Sequence, residues 1–298
     1  MAKRGDIRIG ISGWRYAPWR GEFYPKGLRQ KDELSFASRR FRSIEINGTF
    51  YGPQRPAVFE RWAAETPDDF VFAVKAPRFI THIRRLREVA EPLANFLASG
   101  VLKLGPKLGP ILWQFPPSFR YDRALMEPFL ALLPHDTAAA GKLAARHDRG
   151  MKDVALTADA KRPLRHAVEI RHDSFVDPDF IELLRDHEIA LVCADTVEWP
   201  RLMDVTADFL YCRLHGAEEL YASGYSDKAL RDWAGWIDAW SHGEEPEGKG
   251  IRRATQHDGP RRAARDVYVY FDNDIKVRAP FDADALAQRL GVARADAA

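Results

Sequence analysis

Short runs of β-branched and aromatic residues alternate along the chain with longer amphipathic stretches. Eight such runs occur, at 7–12, 43–47, 70–75, 109–114, 167–171, 189–195, 209–215 and 267–272. Each has the length and residue types of a buried strand. Between most of them the apolar period lengthens and predicts helices over 32–41, 56–65, 91–104, 123–133, 178–187, 226–240 and 283–290. Capping signals such as Asp32-Glu33 and Ser226-Asp227 mark some of the helix starts. Alternating strands and helices indicate a parallel sheet, and eight strands are the number that closes a barrel. The expected fold is therefore α/β, a single (β/α)8 TIM-like barrel over residues 1–298. Two insertions, at 135–163 (helical around 138–146) and 241–265, fall on the stability face, and the tail 291–298 is expected to fray.

Within the runs, side-chain parity separates two faces. The helix-facing set reads Ile7, Ile9, Ile11, Ile44, Ile46, Phe70, Phe72, Val74, Ile111, Trp113, Val168, Ile170, Ala190, Val192, Ala194, Leu210, Cys212, Leu214, Val267, Val269 and Phe271. The opposite parity ends each run in a polar residue: Ser12, Asn47, Lys75, Gln114, Arg171, Asp195, His215 and Asp272, with Glu45, Glu169 and Arg213 one layer deeper. Barrel enzymes carry their chemistry at the carboxyl ends of the strands, so this crown is the candidate site. Mutually neutralising ion pairs are the plain alternative. Burying so many charged groups seldom improves stability over apolar packing, which favours a functional crown.

Composition adds limits. With 298 residues and 46% hydrophobic content the chain can bury one large core. Lys and Arg number 45 against 43 Asp and Glu, so no global field marks a nucleic-acid or membrane binder. The start of the chain lacks the apolar stretch of a signal peptide, and no run approaches the ~20 apolar residues that span a bilayer, so a cytoplasmic protein is expected. Cys193 and Cys212 sit in apolar runs without metal-ligand spacing and read as reduced core residues. The arginines at 252, 253, 261, 262 and 265 read as solvated loop.

The segments IGISGW (9–14), SIEINGTFY (43–51), FVFAVKAPRFITH (70–82), WQFPPSF (113–119), HAVEIRHDSF (166–175), TADFLYCRLHG (206–216) and VYVYFDND (267–274) occur in one order along nearly the whole chain. Together they resemble the YecE-like family, domain of unknown function 72. The resemblance implies a TIM-like barrel and assigns no activity. The motifs hold Glu45, Asn47, Lys75, Gln114, Glu169, Arg171, His172, Arg213 and His215, and Asp195 lies in the ADT that precedes Pro200. This chain departs from the usual Asn-Asn at the end of the last strand, where it reads Asp272-Asn273.

Several chemistries suit the crown. In the first, a hydrolase- or isomerase-type enzyme, or a binding protein, takes a small polar or anionic molecule by metal-free acid–base chemistry and needs no cofactor. Glu45, Glu169, Asp195 and His215 are its catalytic candidates, with one carboxyl kept protonated by burial. Arg171, Arg213 and Lys75 hold the anion, and Asn47, Tyr51, Gln114 and Asp272 complete the binding set. An alternative is a divalent metal on Glu169, Asp195, His215 and Asp272, which serves a hydrolase or isomerase. Schiff-base chemistry on Lys75 is a third option, opposed by carboxylates that keep the amine charged. Nucleophilic Ser12 and Cys193 lack a GxSxG elbow and an exposed thiolate respectively, and no GxGxxG or P-loop motif appears. Aromatics crowd the first two loops (Trp14, Tyr16, Trp19, Phe23, Tyr24, Phe50), mainly as packing, while Tyr51, Tyr221 and Tyr225 are the ligand contacts expected from their hydroxyls. A nucleic-acid-binding module on the rim of Arg15, Arg20, Arg55, Arg78, Arg84 and Arg85 is the reading from a different class, which the modest basic charge weighs against.

Overall fold

The computed structural model describes residues 3–216 and 218–294. Eight strands, β1 (Ile7–Ser12), β2 (Ser43–Ile46), β3 (Val71–Lys75), β4 (Leu108–Gln114), β5 (His166–Glu169), β6 (Ala190–Asp195), β7 (Phe209–Leu214) and β8 (Asp266–Phe271), form a closed parallel barrel in sequence order. Closure is made by β1 against β8, from Ile7 opposite Val267 to Ile11 opposite Phe271. Outside run α1 (Glu33–Arg40), α2 (Gly48–Tyr51), α3 (Pro56–Ala64), α4 (Ala90–Ala98), α5 (Arg123–Leu132), α6 (Thr137–Ala144), α7 (Pro178–Asp186), α8 (Asp227–Ser241) and α9 (Ala279–Arg289). β1, β3, β4 and β6 end on the expected polar residue, while β2, β5, β7 and β8 stop one or two residues short, where backbone pairing ends before that residue turns into its loop. Among the described residues no helix is long and apolar enough to cross a membrane.

Parity sorts the core into two. An outer layer between strands and helices includes Ile9, Ile11, Ile44, Val74, Trp113, Val168, Leu214 and Val269. A smaller cluster fills the barrel itself: Ala73, Leu112, Ala167, Ala190, Val192, Ala194, Phe209, Tyr211, Tyr268 and Tyr270. One strand corrects the expected parity. On β6 the alanines and Val192 point inward, while Leu191 and Cys193 pack against the helices. The whole run before Asp195 is apolar, so alternation cannot mark a face there. Small side chains suit the crowded interior opposite the Tyr211 and Tyr270 rings.

No helix separates β6 from β7. The segment 241–265 covers that gap: Met203 donates its backbone N–H to Arg252 O at 2.8 Å, and Asp204 accepts from the backbone N–H groups of Ala254 and Thr255. Two loop arginines expected in solvent are structural instead. Arg265 is buried and donates to Glu244 O and Pro260 O, and Arg253 is half-buried against Glu245. Loops that face inward must satisfy their carbonyls, and a guanidinium does this with several donors at once. The other insertion contributes α6, packed beside α4, with Ala155 N–H bonded to Ala98 O at 2.8 Å. Of the tail, Arg294 is anchored on Phe41 O and Asp69, and residues 295–298 lie outside the described set.

Gly10 shows how tightly the barrel closes. A Cβ there would lie 1.8 Å from Ser43 O, whereas one at Gly235, in the middle of α8, would meet nothing within 4 Å. Gly10→Ala is expected to destabilise the protein by about 2–3 kcal/mol. Gly235→Ala is expected to stabilise it by about 0.5–1 kcal/mol. Urea unfolding of both variants checks the pair, and an unchanged stability in Gly10→Ala would contradict the closure described.

Candidate functional site

Arg213, pointing inward from β7, has no solvent exposure and grips carboxylates from three other strands. Its Nε and Nη2 reach Glu45 Oε2 and Oε1 at 3.1 and 2.9 Å, Nη1 reaches Glu169 Oε2 at 2.6 Å, and Nη2 reaches Asp272 Oδ2 at 2.8 Å. Such a charge is tolerable inside only because its donors are matched. Glu45 is equally engaged. Besides Arg213 it accepts from Tyr211 Oη at 2.6 Å and Ser12 Oγ at 2.5 Å. The Asn47 amide in turn donates to Ser12 Oγ at 2.8 Å.

One layer up, Arg171 donates to Glu169 Oε1 through Nε at 2.7 Å, and Nη2 lies 2.7 Å from the same oxygen. Its guanidinium lies 4.1 Å from the centre of the Trp199 ring. Burial alone would raise the Glu169 and Asp272 carboxyls, but the cations outweigh it: Arg171 and Arg213 hold Glu169, and Arg213 holds Asp272, below the ordinary carboxylate range. Glu169 is therefore an anion here and is not the carboxyl that burial was expected to keep protonated.

His215 is fully buried. Nδ1 lies 3.1 Å from Asp272 Oδ2 and Nε2 3.7 Å from Glu169 Oε1, yet neither nitrogen makes a directed hydrogen bond. Burial, and after it Arg213, lowers its pKa and keeps the ring neutral. Asn47 Oδ1 and Trp199 Nε1 are likewise buried without partners.

Lys75, the last residue of β3, differs from the other cations. Its side chain is 8% exposed and Nζ lies 4.3 Å from the Phe50 ring centre. Among the described residues it has neither an ion pair nor a hydrogen bond, because the carboxylates that could claim it are taken by the arginines. Burial, and then Arg213, brings its pKa down to about 8 against the pull of Glu45, Asp272 and Glu169. The pairing of Lys75 with Glu45, the plainest role for that lysine, is not made.

Three of the expected site residues, Asp195, Tyr51 and Tyr225, lie elsewhere. Asp195 shares the outward parity of Leu191 and Cys193, bonds Arg201 Nη1 at 2.7 Å and Trp233 Nε1 at 3.2 Å, and stands away from the crown. Its departure removes one of the four candidate metal ligands, and Arg213 occupies oxygens of two others. Among the described residues no group of three or more His, Cys, Asp or Glu side chains is placed to share an ion. Tyr51 is 73% exposed and lines a flanking groove with Phe79, Pro92 and Met151, and Tyr225 is buried with its hydroxyl accepting from Gly216 N–H. Tyr221 does reach the mouth, its ring edge-on to His215 at 5.4 Å, on a backbone held at φ +60°. Gln114 lies at the mouth as expected, its amide 3.5 Å from His82 Nε2.

Two groups at the mouth escaped the sequence. His82 lies on a π-helical turn, Phe79–Ile83, with Nδ1 2.8 Å from Thr81 Oγ1. A wide turn of this kind re-aims one side chain, and no apolar period announces it. Burial, with Lys75, Arg78 and Arg171, lowers its pKa to about 4. Asp274, beyond β8, is raised to about 7 by burial and by Asp272 beside it. It lies in the turn after the strand, where side-chain parity gives no signal. Of the rim arginines, Arg20 pairs with Glu33, Arg84 with Glu88, and Arg85 donates to Ser118. Much of the proposed basic rim is thus spent within the protein.

Residues 8–298 match the family model described as "Protein of unknown function DUF72". The UPF0759 protein YecE of Escherichia coli O157:H7 is 32% identical over 184 residues, 54% of this chain and 64% of that protein. The UPF0759 protein YunF of Bacillus subtilis strain 168 is 30% identical over 118 residues, 38% of this chain and 41% of that one. The matched stretches thus span less than two thirds of these relatives. Among solved structures, a DUF72 family protein of Thermotoga maritima superposes with a TM-score of 0.70 at 24% identity, covering 96% of this chain and 99% of its own. One from Enterococcus faecalis V583 gives 0.64 at 18% identity, covering 96% and 95%. At these identities the likeness speaks for the barrel alone.

The carboxylate cage makes two expectations. Arg213→Met leaves buried anions uncompensated and costs about 3–5 kcal/mol in urea unfolding. Glu169 and Asp272 are held below their ordinary values of 4.5 and 3.8. Their contribution is complete above about pH 5 and is lost as pH falls through the depressed folded values. Stability measured from pH 7 to pH 3 should drop over that window, with a shallower fall in Glu169→Gln.

Proposed function

The chain belongs to the DUF72 family, and we propose that its barrel mouth takes a small anionic molecule and moves a proton on it by metal-free acid–base chemistry. The observation that carries this is a set of polar groups at one place: both ring nitrogens of His215, Asn47 Oδ1 and Trp199 Nε1 are buried without partners, beside Lys75 Nζ, which has no ion pair or hydrogen bond among the described residues and keeps a little contact with solvent. Each unmet group costs on the order of 1–3 kcal/mol, more for a charge. The oxygens of a bound anion would accept from Lys75 Nζ, Trp199 Nε1 and the protonated nitrogen of His215, while Asn47 Oδ1 and the other ring nitrogen could accept from a donor on the ligand or its water.

In this proposal the cage of Arg213, Glu45, Glu169 and Asp272 is the floor and does no chemistry itself. Arg171, stiffened by Trp199 and Glu169, and Lys75 hold the anion. Asp274, near pKa 7, is the proton carrier, and the neutral imidazole of His215 can accept a proton from the ligand. Gln114 and Asn47 orient the ligand.

Lys75→Met should remove an unmet charge and stabilise the unliganded protein by about 1 kcal/mol. The melting temperature of the parent protein should rise by a few degrees in phosphate or simple carboxylates, be indifferent to chelator, and lose the anion response in Lys75→Met and Arg171→Met. Destabilisation by Lys75→Met together with a flat anion series would mean that the mouth is only a structural ion network. A gain from one dication that chelator reverses would point to metal chemistry instead.

A further inference from the structure

We infer that the anion is a small carbonyl acid, such as a 2-oxo acid, and that Lys75 Nζ joins its carbonyl carbon as an imine while Arg171 holds the carboxylate. This rests on the anion site proposed above and narrows it to one substrate class.

The two buried lysines differ in a way that points to this. Lys107 Nζ donates to Ala63 O, Thr66 O and Thr66 Oγ1 at 2.6, 2.7 and 3.3 Å, so its three protons are matched and it serves as a structural ammonium. Lys75 Nζ has no acceptor among the described residues and rests on the Phe50 ring face. An amine tied to three acceptors cannot present a lone pair, whereas Lys75 can as soon as it loses one proton.

The charges around it come from every neighbouring strand: Glu45 on β2, Glu169 and Arg171 on or just past β5, Arg213 and His215 on or just past β7, Asp272 past β8, with His82 and Arg78 on the turn after β3. The carboxylates are held by the arginines, so burial and Arg213 prevail and the amine titrates near 8. At neutral pH its uncharged fraction exceeds that of an ordinary lysine by roughly two orders of magnitude. The amine is still mostly protonated at neutral pH, but the flanking carboxylates hold its charge less firmly than expected.

A carboxylate acceptor is at hand as well. Nε and Nη2 of Arg171 are committed to Glu169, while Nη1 has no hydrogen bond among the described residues. Arg171 and Lys75 both lie close enough to His82 to lower its pKa, which puts the two cations at the same mouth, where one could hold a carboxylate and the other meet the neighbouring carbonyl.

The step balances without any outside reagent. The Nζ lone pair attacks the carbonyl carbon, and the C=O pair moves to oxygen, which takes a proton. Nitrogen gives up one proton, the carbinol oxygen receives a second and leaves as water, and the C=N bond forms. Asp274, half-protonated near pH 7, and His215 border the site and are suited to carry these protons. A protonated imine then withdraws electrons from the adjacent carbon, as lyase, aldol or α-proton-exchange chemistry requires.

Pyruvate and glyoxylate are the probes, with lactate and acetate as carbonyl-free controls. The intact protein is incubated with each in cyanoborohydride from pH 6 to 9, and any adduct is mapped by peptide mass spectrometry. One adduct on Lys75 is expected, formed at least tenfold faster than on any surface lysine and faster as pH rises towards 8. It should be absent with the controls and in Lys75→Arg, whose fold is checked by its melting curve. Labelling confined to other lysines, or equal in parent and Lys75→Arg, overturns the imine. If lactate and acetate still raise the melting temperature in that case, the anion site stands and only the covalent step falls. If neither effect appears, both fall.

Discussion

A single buried guanidinium organises the upper half of this barrel. Arg213 gathers Glu45, Glu169 and Asp272 from strands that are not all its sequence neighbours, and each is held within 3.1 Å of one of its nitrogens. The desolvation cost of four ions in a closed barrel is met only by that matched geometry. Every other feature of the mouth follows from how these carboxylates are used up.

Because Arg213 and Arg171 take the carboxylates, the third cation is left over. Lys75 therefore stands in a site that is formally close to neutral and yet is itself unmet, which is an unusual way to keep an amine reactive. The same cage lowers the pKa of His215 and, with burial, leaves it a neutral ring. Asp274 sits just outside the cage, where Asp272 raises it and no arginine is paired with it. A floor of matched ion pairs thus leaves, one layer above, Lys75 and Asp274 shifted towards neutrality.

The missing helix between β6 and β7 has a counterpart consequence. The insertion that covers the gap fastens the loop carrying Trp199, through Asp204 and Met203, and Trp199 braces Arg171. The insertion that follows α8 is in this way coupled to the orientation of a group at the mouth.

Strand count, order and closure were legible in the residues, since eight β-branched runs separated by amphipathic stretches admit few other arrangements. So was most of the crown, because on β2, β3, β5, β7 and β8 the inward parity carries the charged residue and the outward one is apolar. Asp195 was misread because its strand is apolar on both parities, and alternation cannot choose a face when both are alike. Tyr51 was misplaced since a loop side chain has no parity at all, and His82 went unseen because a π turn has no period to betray it. The sequence by itself determined which residue types end the strands. Only the tertiary structure decided which of them pair, as distance and direction between strands far apart in the chain settle which carboxylate meets which cation, and which cation is left without one.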